Sequence, residues 1–182
     1  MRFSFRNLFK KARNDEKGTV TVEFIIMFPL LFTWMIGSLV YFDAFRERNN
    51  ASKAASSVAD IISRTDVQNV ASVSQLALLQ ERLLPGIQGT KSLRVSSIQR
   101  VTEDSFIVLW SYSPTGSDAL LAVDIPINIL PLMTDNETVI LTETAVPFVP
   151  LSGLAGIAAQ TYINKIAIRP RYVSAIAWDS GS

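Results

Sequence analysis

The chain has 182 residues, 48% of them hydrophobic and 18% charged, which is enough for one domain plus an apolar segment. It contains neither cysteine nor histidine, excluding a disulfide framework, thiol chemistry, Cys/His metal sites and proton transfer by imidazole. The formal charge of +1 conceals an asymmetry: six bases and two acids up to Gly18, then 11 bases and 14 acids after it. A basic leader before an acidic remainder argues against nucleic acid as a partner and for membrane topology.

Residues 1–18 form that leader, with Arg2, Arg6, Lys10, Lys11, Arg13 and Lys17 against Asp15 and Glu16. Residues 19–42 then run 24 positions with Glu23 as the only charge. A helix of that length is ~36 Å long, sufficient to cross a hydrocarbon core of ~30 Å with some tilt. Trp34 and Tyr41 are suited to anchor it at the interfaces. Pro29 removes the hydrogen bond to Ile25 and is expected to kink the helix. The run is too long for the apolar region of a cleaved signal peptide, and Phe42-Asp43-Ala44 offers no small-x-small site. Basic residues precede the span, so the positive-inside rule puts the N-terminus in the cytoplasm and everything past Phe42 outside. The segment reads as a single-pass anchor in a lipid bilayer.

A carboxylate inside such a segment costs ~2.5–3.5 kcal/mol at the bilayer centre and less near an interface, so Glu23 calls for a function. Its setting, Asp15-Glu16-Lys17-Gly18 followed by Thr19-Val20-Thr21-Val22-Glu23-Phe24 and then Pro29-Leu30-Leu31, resembles the N-terminus of TadE-like minor pilins of the Tad (tight-adherence, Flp) type IV pilus. The likeness covers residues 13–60 well and the remainder only in general character. It implies a bacterial inner-membrane protein cut after Gly18 by an aspartyl prepilin peptidase. It also implies work with other Tad pilins and inner-membrane platform proteins in pilus biogenesis, adhesion or surface attachment. A mature chain of 164 residues starting at Thr19, with Phe24 where the Tad major pilin has tyrosine, points to an accessory subunit and not the bulk one.

The physics of the motif stands beside the resemblance. Glycine lets the backbone lie extended in a protease cleft without a side-chain clash. Cleavage there would create an α-amino group on Thr19, four residues before Glu23 and one turn away on the same helix face. The carboxylate can then meet its own or a neighbour's amine, which favours one axial register in a bundle of such helices. The plainer alternative is that Glu23 sits in the first turn, favoured by the helix dipole by ~0.3–1 kcal/mol.

Helical spacing continues over residues 43–65, where Ala51, Ala54, Ala55, Val58, Ile61 and Ile62 lie opposite Arg48, Ser52, Ser56 and Ser63. That stripe serves either its own domain or packing between subunits. A second helix is expected at 72–84, with Leu76, Leu79 and Leu83 on one face and Pro85-Gly86 as its stop. Leu93, Val95 and Ser97 alternate, as do Phe106, Val108, Trp110 and Tyr112, and the turn Thr102-Glu103-Asp104-Ser105 joins them into an antiparallel hairpin. Further strands are expected at 119–125, 137–147, 162–168 and 171–178. Residues 150–160 form either a buried loop or short helix, or an exposed apolar tip.

The fold class is therefore α+β: a long N-terminal helix, transmembrane and continuing outside, plus a small antiparallel-sheet head over residues 66–182. In the resemblance this architecture is pilin-like. Nothing in the sequence indicates an enzyme, a cofactor or a metal. The close carboxylates Glu103 with Asp104, and Asp135 with Glu137, lie in polar turn-like stretches where solvation explains them. The competing functional class is an uncleaved single-pass sensor or adaptor with an extracytoplasmic interaction domain.

Overall fold

A computed structural model describes residues 16–180 apart from 88, 104, 151, 152, 154 and 155. The leader expected at residues 1–18 lies outside the described residues as far as Asp15. The chain divides into two compact units, one of Met1–Asp43 with Leu151–Ile157, the other of Ala44–Pro150 with Ala158–Ser182. A long helix, α1 (Glu16–Ser63), supplies the described part of the first unit up to Asp43 and the opening residues of the second. The rest of the second unit is a short strand β1 (Val67–Asn69), helix α2 (Val70–Leu83), strands β2 (Ser92–Thr102), β3 (Ser105–Tyr112), β4 (Thr138–Phe148) and β5 (Gln160–Ile168), and a short β6 (Ala177–Asp179). One apolar helix with a small antiparallel sheet makes the chain α+β.

The end of α1 and the start of α2 are built from side chains that take up orphaned backbone groups. At the end of α1, Ser63 Oγ donates to Asp60 O (2.7 Å) and Thr65 Oγ1 to Ile62 O (2.8 Å). Arg171 N reaches Ser63 O at 2.8 Å, so Ser63 is buried and satisfied while Ile61 turns outward. This reverses the expected places of Ile61 and Ser63. Helix α2 opens with a capping box, in which Asn69 Oδ1 accepts from Ser72 N (2.8 Å) and Ser72 Oγ accepts from Asn69 N (2.9 Å). Its inward row is Leu76, Gln80 and Leu84 at four-residue steps, leaving Leu83 exposed. Of the expected row, Leu76 and Leu79 pack against the core and Leu83 does not.

The sheet has the order β3-β2-β4-β5, antiparallel throughout. Its two faces hold different cores. Val58 and Ile62 of α1 and Val73 and Leu76 of α2 pack on Leu93, Val95 and Ile140, with Ile176 joining from the C-terminal segment. Further along the same face, Ala51 and Ala54 meet Leu84 and Val146. The alanine stripe of residues 51–59 therefore serves its own domain. On the opposite face Ile98 and Leu141 are closed over by Leu120 and Ile125 from the β3–β4 connection. Burial of one such aliphatic side chain contributes ~1.5–3 kcal/mol.

Three expectations for this region are corrected. Phe106, Val108, Trp110 and Tyr112 do not share a face: Ser97 pairs with Trp110 but Ile98 with Val108, leaving Leu109 as a bulge. Phe106 and Val108 accordingly join the Ile98 core, while Trp110 and Tyr112 stack on Trp178 at centroid distances of 5.1 and 5.3 Å. Residues 119–125 form no strand. They cross the sheet as extended chain with a 3-10 turn at Ala122–Asp124, sending Leu120 and Ile125 inward. Residues 171–175 bend, and only Ala177–Asp179 forms a strand, parallel to β1. In 150–160, Gly153, Gly156, Ala158 and Ala159 are exposed, and residues 151, 152, 154 and 155 lie outside the described residues.

Candidate functional site

In the first unit, α1 is apolar on every face. Val20, Phe24, Ile25, Leu30, Leu31, Trp34 and Phe42 are each more than half exposed, around the whole circumference. An 18-residue window of this segment has a mean hydropathy of 2.0. The helix is thus long and apolar enough to cross a membrane.

Hydrocarbon offers no partner to a polar group, so the polar side chains of the segment matter most. Thr33 Oγ1 donates to Pro29 O at 2.8 Å, and Ser38 Oγ to Trp34 O at 3.0 Å. Both hydroxyls are satisfied within the helix, one turn back. Pro29 lies inside a helix that continues on both sides of it, with no N–H to offer the Ile25 carbonyl.

Glu23 is the one charged side chain of residues 19–42. It is exposed, and among the described residues its carboxylate has no ion pair or hydrogen bond. Phe24, beside it, begins a separate ladder, with Phe24–Phe28 at 5.4 Å and Phe28–Phe32 at 5.7 Å between ring centroids. Neighbours in sequence diverge by ~100° around a helix, so carboxylate and aromatic ladder occupy different faces. The backbone of Gly18 and Thr19 belongs to the first turns of α1; their side-chain environment is outside the described residues. Thr19 and Glu23 are therefore an i, i+4 pair on one helix, as their spacing requires.

The second unit contains a carboxylate that sequence reasoning missed. Glu143, central on β4, receives Arg94 of β2 and Lys165 of β5, its direct cross-strand neighbours. Arg94 Nε lies 2.6 Å from Glu143 Oε2, and Lys165 Nζ 2.9 Å from Oε1. Arg94 Nη1 also donates to Asp118 O at 3.0 Å. The signal was present: an acid amid the apolar run of 139–146 needs compensating charge when its strand becomes central. This cluster ties three strands together and faces no cavity described in the structure.

Of the carboxylates expected to be merely solvated, Asp135 and Glu137 have partners, Asp135 Oδ1 lying 3.5 Å from Arg100 Nε, while Asp104 lies outside the described residues. Glu137 Oε2 accepts from Thr134 N at 2.7 Å, and Arg169 pairs with its other oxygen. The Thr134 amide, with help from the Thr134 hydroxyl and Arg169, holds the Glu137 pKa below its ordinary value against a smaller opposing effect of burial. Asp60 is shared by Arg64 at 3.0 Å and Arg171 at 2.7 Å, and the bond to Asp60 raises the Arg64 pKa. A cavity of about 550 Å³ opens between α2 and the turns at 89–91 and 114–115. Glu81 and Lys91 give it charges of both signs, and Gln80 on its wall has an amide nitrogen without a hydrogen-bond partner. Among the described residues, no group of three Asp or Glu side chains is arranged to hold a metal ion.

Comparison of the chain with protein-family models, curated proteins and solved structures finds no match.

Proposed function

We propose that this chain is a minor pilin or pilus-assembly subunit of the Tad type. In this reading α1 is inserted in the bacterial inner membrane with the N-terminus in the cytoplasm and the head outside. Prepilin peptidase cuts after Gly18, and Glu23 meets the α-amino group freed on Thr19 or on a neighbouring copy. One observation carries the reading: Glu23 is the only charge of residues 19–42, it is exposed, and among the described residues its carboxylate has no ion pair or hydrogen bond. A carboxylate retained at that cost fits a group that acquires its counter-charge only after processing and assembly. The resemblance of residues 13–60 to TadE-like minor pilins points the same way.

A second reading has its own observation. The Gly18–Thr19 bond lies in helix, and a protease cleft takes an extended chain, so cleavage must first unwind this turn. An uncleaved anchor carrying an interaction domain needs no such step. Glu23→Gln separates the two. It keeps the shape and removes the charge, so the pilin reading expects normal processing but loss of co-isolation with the other pilus proteins. Unchanged co-isolation would leave Glu23 as a helix starter only and favour the anchor.

A further inference from the structure

We propose that the head associates side by side with copies of itself, β5 of one chain adding to β3 of the next to extend one antiparallel sheet. β2 and β4 are the inner strands and are largely buried, whereas no residue of β3 or β5 is. Among the described residues, neither edge strand makes a backbone hydrogen bond on its outer side. A row of unpaired amides and carbonyls is a template for another strand, and edges that must stay free are guarded by charge, proline or a bulge.

The guards on β5 are missing. It pairs with β4 over nine residues without a bulge and contains no proline. Its only charge, Lys165, is held at 2.9 Å by Glu143 on the face of the sheet. β3 has no charge and no proline either, although its pairing with β2 shifts register at Leu109 and again between Arg100 and Thr102. Both edges are therefore open, the β5 edge more fully.

Strand direction selects the occupant. Directions alternate across four strands, so β3 and β5 run opposite ways. A second copy in the same orientation thus presents its β3 antiparallel to β5, the better-bonded arrangement. Copies anchored by α1 in one membrane can all take that orientation, so the contact can repeat along a row, and this step rests on the anchored reading given above. Pairing β5 with β5 instead requires a two-fold axis that either reverses the second chain or turns its sheet over. Aromatic and β-branched residues meet at the new seam, from Trp110 and Tyr112 on one side and Tyr162, Ile166 and Ile168 on the other, with no opposed like charges. The contact is heterologous and does not close on itself, so it builds rows.

The test uses the full chain in detergent micelles, with species counted by native mass spectrometry. Ile163→Lys blocks the β5 edge and Ile107→Lys the β3 edge, both at exposed positions. The wild type should give dimers and larger species, and each variant alone only monomers. Mixing the two variants should give a one-to-one dimer and nothing larger, because each supplies the edge that the other lacks. A monomeric wild type, a variant that still forms the series, or a mixture that stays monomeric would overturn the proposal. Self-dimerisation of Ile107→Lys would overturn it in favour of β5–β5 pairing. Thr161→Lys and Leu109→Lys serve the same arms if a first variant loses its folded tryptophan signal. Alkaline extraction distinguishes the premise: a chain released from membranes contradicts anchoring, whereas one that stays and does not pair contradicts strand addition alone.

Discussion

Residues 20–42 and residues 51–63 belong to one helix and meet opposite surroundings. In the first stretch Phe24, Leu31, Trp34 and Phe42 stand more than half exposed, and only Val40 near its end is buried. In the second, Ala51, Ala54, Ala55, Val58 and Ile62 are 0–3% exposed beneath the sheet and α2. Side-chain size follows the neighbour: bulk on every side where lipid would surround the helix, alanine where a packed sheet must approach. The hydroxyls do not divide in this way: Thr33 and Ser38 bond back to their own helix, and so do Ser56, Ser57 and Ser63.

If that division is right, substitutions in one stretch should leave the other untouched. The largest effect is expected from Glu143→Ala, which strands Arg94 and Lys165 beside a central strand. Breaking a buried pair from one side costs ~3–5 kcal/mol. Urea unfolding in detergent, followed by Trp110 and Trp178 in a Trp34→Phe background, should show that loss with membrane recovery unchanged. Next, Leu93→Ala opens a cavity in a fully buried position and should cost ~2–5 kcal/mol by the same signal. Leu31→Ala, an equal truncation in the first stretch, should leave head stability within ~0.5 kcal/mol of the parent. Equal losses from the two leucines would mean that the apolar stretch packs on protein.

The smallest effect is acid sensitivity. The Glu137 pKa is lowered in the fold, chiefly by the Thr134 amide. Its stabilisation is therefore complete above the unfolded value of ~4.3 and lost as pH falls through the folded one. Glu137→Gln should flatten that acid limb by less than ~1 kcal/mol, as for other surface pairs. An unchanged limb would assign acid unfolding to other carboxylates.

The same contrast explains what was legible in the sequence. A helix that is apolar on every face is legible from composition alone, as residues 19–42 are, and Glu23 stands out by breaking that composition. The head's elements could be read where periodicity was unbroken, as in α2 and in the strands near 93, 140 and 165. They were misread where tertiary contacts intervened. The bulge at Leu109 split one alternating run between two cores, and Gln80 is buried while Leu83 is exposed. Residues 119–125 bury Leu120 and Ile125 without strand pairing, because covering a sheet face needs only apolar side chains. Glu143 was overlooked because its partners lie 49 and 22 positions away and are brought together only by strand order.

The most direct measurement is the intact mass of the chain recovered from membranes of cells with an active prepilin peptidase. A mature chain beginning at Thr19 is the predicted result, with the basic leader gone and a free amine one helical turn from Glu23. A chain still beginning at Met1 would contradict it and leave α1 as an uncut anchor.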